Sequence, residues 1–239
     1  MITRLLCKLL LITSFFLASF CYTGDFDMPA KFKINIYPGT EANAQNTKDK
    51  VENNDSQIPM VDLSQIDKTL VLDLRYASDN NFTGHKIYPV TKAYLRLGTA
   101  HKLLAAHHEL MDMGYKIKVY DAYRPYYVQQ ILYNAAGASE KHFIADPREG
   151  SYHNRGAAVD VTITDLKGNE LPMPSGFDEF NFKAYRNYQA SPEATNNRDI
   201  LTQVMLKHGF EAINSEWWHY NDNQALKYPI LDLKLEDLP

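Results

Sequence analysis

Ser151-Tyr152-His153-Asn154-Arg155-Gly156-Ala157-Ala158-Val159-Asp160-Val161-Thr162-Ile163 is the stretch on which the reading of this chain turns. From Ala157 to Thr164 the residues are small or β-branched, the composition of a buried strand, and Asp165 with Lys167-Gly168-Asn169 supplies the turn after it. Gly156 before the strand allows a sharp turn or a close backbone approach just after His153. Asp160 is the odd residue. A carboxylate among apolar neighbours costs several kcal/mol unless it is paired or bound to a metal. An arginine partner, a solvent-facing strand edge and a metal all remain open on this stretch alone.

A second segment, Glu216-Trp217-Trp218-His219, lies further along. Residues three apart share a side in a helical turn but face opposite ways in a strand, so the chain must bend if both polar groups serve one site. A histidine beside two tryptophans is commonly a packed structural residue. Its weight changes because the first segment carries another imidazole and a carboxylate next to a turn. Together the two segments offer three N/O ligands and a spare carboxylate, which is what a catalytic zinc with one open position and a neighbouring base requires. The remaining histidines, His85, His101, His107, His108, His142 and His208, read as surface or core residues. The two cysteines, Cys7 and Cys21, both lie in the N-terminal leader, so thiols are excluded as ligands or nucleophile and no internal disulfide is expected.

Working outward, Leu70 to Leu74 and Lys116 to Tyr120 read as strands. Thr91 to Met113 reads as a helix capped by Thr91 and stopped by Gly114. Further helices are expected at Tyr126 to Ala136 and Arg198 to His208, with short strands at Phe210 to Ile213 and Trp217 to Tyr220. Helices and strands mix without regular alternation. That favours a single α+β domain with a central, mostly antiparallel sheet flanked by helices over a doubly wound fold.

Arg4 and Lys8 followed by the uncharged run Leu9 to Phe20 give residues 1–22 the pattern of a secretory signal peptide, too short for a comfortable membrane span. Lipidation of Cys21 is disfavoured because Phe20 is bulkier than the small residue such sites carry. The expected location is therefore exported, periplasmic or extracellular, with no stable span in the mature chain. Residues 23–60 read as an extension with a strand candidate at Phe32 to Tyr37 and a polar linker from Thr40 to Gln57; residues 61–239 form the domain. A net charge of −4 without a basic stripe argues against nucleic-acid binding.

Ser-x-His-x-x-Gly-x-Ala-x-Asp with Glu-x-x-His resembles the zinc D,D-peptidases, and within them the D-alanyl-D-alanine dipeptidases. Supporting segments are Asp73-Leu74-Arg75-Tyr76-Ala77, Asn81-Phe82-Thr83-Gly84, Tyr120-Asp121-Ala122-Tyr123-Arg124-Pro125, Phe177-Asp178 and Ser215-Glu216-Trp217-Trp218-His219-Tyr220. The resemblance covers Val61 to Pro229. It implies one Zn2+ per chain in a cleft, held by His153, Asp160 and His219, with Glu216 as general base and Arg124 as transition-state stabiliser. The residues themselves would otherwise favour a helix-start ion pair of Arg124 with Asp121. Ser151 is a candidate donor to the substrate carboxylate and Asp178 a candidate partner for its ammonium. The implied substrate is a small dipeptide, D-Ala-D-Ala. The alternatives are a zinc D,D-carboxypeptidase acting on peptidoglycan stem peptides and a non-catalytic, zinc-stabilised module that binds cell wall. A spare carboxylate at Glu216 and the lack of ligating cysteines separate a catalytic site from a closed structural one.

Overall fold

A computed structural model of the chain describes residues 59–239. The expected signal segment, the strand candidate at Phe32 to Tyr37 and the expected polar linker lie outside the described residues.

Five strands form the main sheet in the order β2-β4-β5-β7-β6: β2 (Val71–Leu72), β4 (Tyr115–Asp121), β5 (Ala158–Asp165), β6 (Phe210–Ala212) and β7 (His219–Asp222). Only the β2–β4 pairing is parallel; β4–β5, β5–β7 and β6–β7 are antiparallel. The mostly antiparallel α+β expectation therefore holds. A separate ribbon pairs β1 (Met60–Asp62) with β3 (Tyr94–Arg96). The longer helices are α2 (Leu97–Asp112), α3 (Tyr126–Ala135) and α4 (Pro192–Lys207); α1 (Leu63–Ile66) is a single turn.

The period-2 alternation of the strands sorts chemistry onto two faces. Ile117, Val119, Val159, Val161, Ile163 and Tyr220 are buried on one face and join the main core. There α2 packs on β4, and α4 on β5 and β6, through Leu103, Ala106, Leu110, Leu201 and Met205. The opposite face carries Asp160, Thr162 and Thr164 from β5 and His219 and Asn221 from β7, all buried. A register shift between Val119 and Asp121 breaks the alternation of β4, so that Asp121 stands across from Asp160 on the polar face. Asp160 is in turn directly opposite His219. Three adjacent strands thus line up Asp121, Asp160 and His219. A smaller aromatic cluster of Tyr120, Phe143, Trp217 and Trp218, with Phe177 and Phe180 packed on it, covers that side of the sheet.

Two helix starts differ from expectation. The first long helix begins at Leu97, not Thr91, because Tyr94–Arg96 is strand β3. Its backbone is already committed: it pairs with β1, Arg96 N donates to Gly156 O at 2.9 Å, and Tyr94 O accepts from Tyr123 N at 2.8 Å. The last helix begins six residues before Arg198, at Pro192. Ser191 caps it by accepting from Ala194 N, and Pro192 sits where a missing N–H costs nothing. Strand β7 also runs two residues later than Trp217 to Tyr220, since Trp217 and Trp218 belong to the bend that precedes it.

Candidate active site

His153 opens a 3-10 turn, His153–Arg155, which ends at Gly156 in the left-handed region with φ of 65°. A Cβ there would come within 2.8 Å of Met60 Cε, so both expected uses of this glycine, the turn and the close approach, occur together. The turn places the His153 ring under Asp160. Across the sheet, β7 presents His219 to the same point.

The three side chains converge. His153 Nε2 lies 3.1 Å from His219 Nδ1 and 3.3 Å from Asp160 Oδ2, and His219 Nδ1 lies 3.0 Å from Asp160 Oδ1. All three residues are buried, and they form the cluster able to hold a metal ion among the described residues. The outward nitrogens decide what this geometry means. His153 Nδ1 donates to the carbonyl oxygen of Ala122 at 2.7 Å, and His219 Nε2 donates to Asn221 Oδ1 at 2.7 Å. In the neutral rings these bonds leave lone pairs on His153 Nε2 and His219 Nδ1, aimed at each other and at a carboxylate. Such an arrangement is repulsive without a cation. Tetrahedral zinc with bonds of about 2.0–2.1 Å separates its ligand atoms by about 3.3 Å, close to the spacings seen. The donor set therefore fits zinc, and Ala122 and Asn221 orient the two imidazoles from behind. Burial pushes the Asp160 carboxyl up, but His153 and His219, when they carry a proton, outweigh it and hold it below the usual carboxylate range.

Glu216 sits where the chain bends between β6 and β7, which brings it to the same side as His219. It is 8% exposed and lines the pocket with the three cluster residues. No hydrogen bond or ion pair to another described residue holds its carboxylate. Burial raises its pKa to about 8, with His219 and Arg124 pulling down and Asp160 and Asp178 pushing up.

Arg124 makes the ion pair with Asp121 that its own residues favoured, and it also faces the pocket. Its Nε and Nη2 donate to Asp121 Oδ2 at 2.9 and 2.8 Å, the helix-start ion pair. Its Nη1 donates to Gln129 Oε1 at 2.8 Å. The guanidinium also lines the pocket, 3.7 Å from Asp160 Oδ2, and the remaining two of its five N–H groups stay free of these bonds. Ser151 and Asp178 line the pocket too. Ser151 Oγ accepts from His153 N at 3.2 Å, which leaves its O–H able to donate elsewhere. Asp178 accepts from Tyr76 Oη at 2.8 Å, and burial lifts its carboxyl to about 8. It is also the one described non-glycine residue with positive φ, at 56°. Strained backbone of this kind persists where the surroundings over-determine it, commonly at functional sites.

The pocket is small, with a cavity of about 40 Å³, well below the usual size of ligand sites. Phe143 and Ile144 wall it from the connection after α3, and Asp178 and Phe180 from the connection after β5. Several contributors were missed. Asn221 lies two residues from His219 on one strand face, a spacing that was available in the sequence. Tyr76 and Phe143 arrive from short 3-10 turns and Phe180 from a loop, where no periodicity points inward.

The chain is similar to several known proteins. The family model described as D-Ala-D-Ala dipeptidase, peptidase M15, matches residues 56–236. A D-alanyl-D-alanine dipeptidase from Escherichia coli K12 is 36% identical over 173 residues, covering 72% of this chain and 89% of the relative. One from Enterococcus faecium is 31% identical over 171 residues, covering 62% and 83%. Among solved structures, a vancomycin-resistance D,D-pentapeptidase in complex with Zn(II) aligns with a TM-score of 0.37 at 14% identity, over 59% of this chain and 81% of the other. Matched along nearly all of its described domain, the chain belongs to the M15 peptidase family of D-alanyl-D-alanine dipeptidases and is a zinc metallopeptidase.

Proposed function

We propose that this protein hydrolyses the D-Ala-D-Ala dipeptide, with one zinc per chain held by His153, Asp160 and His219 and with Glu216 as general base. The observation that carries the reading is the convergence of two imidazole lone pairs and a carboxylate beside an acid that no described residue engages. Zinc bound there supplies Lewis-acid polarisation and lowers the pKa of water to about 7. Glu216 accepts the proton of the attacking water on its carboxylate as the C–O bond forms, then returns it to the leaving amine as the C–N bond breaks. Glu216, a weak acid because it is buried, would be shifted toward its ionised form by a dication held at His153, Asp160 and His219. Arg124, fixed by Asp121 and Gln129, offers its pocket-lining guanidinium to the oxygen that gains negative charge. Ser151 donates to the substrate carboxylate, and Asp178, steadied by Tyr76, receives its ammonium.

A small pocket walled by Phe143, Ile144 and Phe180 suits a free dipeptide better than the open groove a stem peptide needs. The leader pattern of residues 1–22 supports export, so the dipeptide would be one released outside the cytoplasm. Fractionation that finds the full chain in the cytosol with Met1 retained removes that part of the reading. The activity is tested by incubating purified protein with D-Ala-D-Ala, L-Ala-L-Ala and a stem pentapeptide, each with and without chelator. Chelator-sensitive cleavage of the first alone is expected. Cleavage of the pentapeptide at comparable rate overturns the dipeptidase reading in favour of a carboxypeptidase. Glu216→Ala should abolish turnover while zinc remains bound; retained hydrolysis shows that the base is misassigned.

A further inference from the structure

The loop 213–218 that joins β6 to β7 carries Glu216, and His219 begins the strand after it. The β6–β7 ladder closes the base of the loop at the pair Ala212 and Tyr220, and no ladder bond joins the next two residues inward, Ile213 and His219. One side chain spans them. Arg186 Nε donates to Ile213 O at 2.6 Å, and Arg186 Nη2 donates to His219 O at 2.8 Å. The other arm of the fork, Nη1, donates to Thr202 Oγ1 at 3.0 Å and Tyr220 Oη at 3.1 Å, and the guanidinium carbon sits 4.4 Å from the centre of the Tyr220 ring. The backbone beside it adds two more ties, Arg186 N to Asn214 O at 3.0 Å and Trp217 N to Ala184 O at 2.9 Å.

We propose that Arg186 is a positioning residue for the hydrolytic site: it holds both necks of the 213–218 loop at the span that lets Glu216 and His219 face the same pocket. The proposal rests on the dipeptidase reading for Glu216, but its metal half does not. Left to the ladder alone, residues three apart in an extended chain point to opposite faces. The bend that overcomes this leaves the carbonyls of Ile213 and His219 for an outside donor. A planar fork with donors on two edges meets both at once, which the single ammonium of lysine does not. Because the His219 carbonyl is one of the two tied groups, the same bond that orients the base also sets the backbone of a candidate ligand.

The test compares wild type, Arg186→Ala and Arg186→Lys, each measured well below its own melting temperature. Thr202→Val serves as the control, since it removes one partner of the guanidinium without touching either loop neck. Zinc affinity is read by chelator competition, and kcat and KM with D-Ala-D-Ala. Arg186→Ala should bind zinc roughly 10-fold or more weakly and lose kcat by about 10–100-fold with KM little changed, the range typical of outer-shell partners. Millimolar guanidinium ion should restore part of both, and Thr202→Val should alter only stability. If Arg186→Ala does not fold, Arg186→Lys carries the same expectation at smaller size. Zinc affinity and kcat both within twofold of wild type in the folded variants overturn the proposal. A wild type that binds zinc but cleaves no dipeptide defeats the dipeptidase reading instead, and the zinc affinities still decide the role of Arg186.

Discussion

Glu216→Gln should make the metal-free protein more stable while stopping its chemistry. At pH 7 an unfolded glutamate, with an ordinary pKa near 4.5, is ionised, whereas the buried Glu216 carboxyl has its pKa raised to about 8 and folds as the acid. Taking up that proton on folding costs 1.36 kcal/mol for each pH unit between 4.5 and 7, or about 3 kcal/mol as an upper figure. Glutamine has the same shape and no such cost. The sign follows from the raised folded pKa: the carboxyl's contribution is fully present below pH 4.5 and is lost as pH rises toward 8. The variant and wild type should therefore be equally stable near pH 4.5 and diverge above it, reaching about 2–3 kcal/mol at pH 7. For a domain of this size that is roughly 5–10 °C in Tm. The assay is denaturant unfolding of both metal-free proteins at half-unit steps from pH 4.5 to 8. Turnover of D-Ala-D-Ala by the zinc-loaded variant should fall by about 10²–10⁴, as expected for loss of a general base. A stability difference that does not change with pH would show that the carboxyl is solvated in the folded protein. The acid would then be no part of a dry site.

Three further outcomes follow from particular contacts. Gly156→Ala forces a side chain into the left-handed region beside Met60, and should cost about 1–3 kcal/mol in urea unfolding and weaken zinc binding, because the His153 turn ends there. Asn221→Ala removes the acceptor behind the His219 ring and should weaken zinc about 10–100-fold in chelator competition, with little change in the fold as judged by circular dichroism. His107 is buried with its pKa lowered to about 4, because burial disfavours its charged form; its Nδ1 accepts from Ile117 N at 3.1 Å, a bond that protonation turns into a donor–donor contact. Its depressed folded pKa means that stability is lost as pH falls from about 6.5 to 4, by up to about 3 kcal/mol. His107→Asn, which keeps an acceptor for Ile117, should flatten that part of the pH–stability curve; an unchanged slope would place the acid sensitivity elsewhere.

The sheet and the metal cluster were legible because both depend on local spacing. Alternation in β4 and β5 shows in the residues themselves, and Asp160 stands out as the charged member of an apolar strand. Helix starts were less legible. The sequence from Thr91 onward has helical periodicity, but β1 and the Gly156 turn claim the backbone of Tyr94 to Arg96 first, and those partners are remote along the chain. The pocket walls were not legible at all beyond their connections, since Phe143 and Phe180 meet by stacking at 5.3 Å between two loops and no repeat relates them. Arg186 was missed for the same reason: its partners lie 16 to 34 residues away along the chain.

The polar face of the sheet explains why core and chemistry coexist at such close quarters. A strand of period two gives one set of side chains to α2 and α4 and the other to the polar face, so packing the helices does not compromise the proposed ligands. Regular alternation would nevertheless have failed in β4. Lys118 and Tyr120 share one face of that strand in register, and Asp121 would then point into the core with Ile117 and Val119. The register shift before Asp121 turns it back to stand across from Asp160, where it anchors Arg124. One irregular residue in β4 thus holds Arg124 at the pocket. A change that restored regular pairing there would bury the Asp121 carboxylate among aliphatic side chains and release Arg124 from its place.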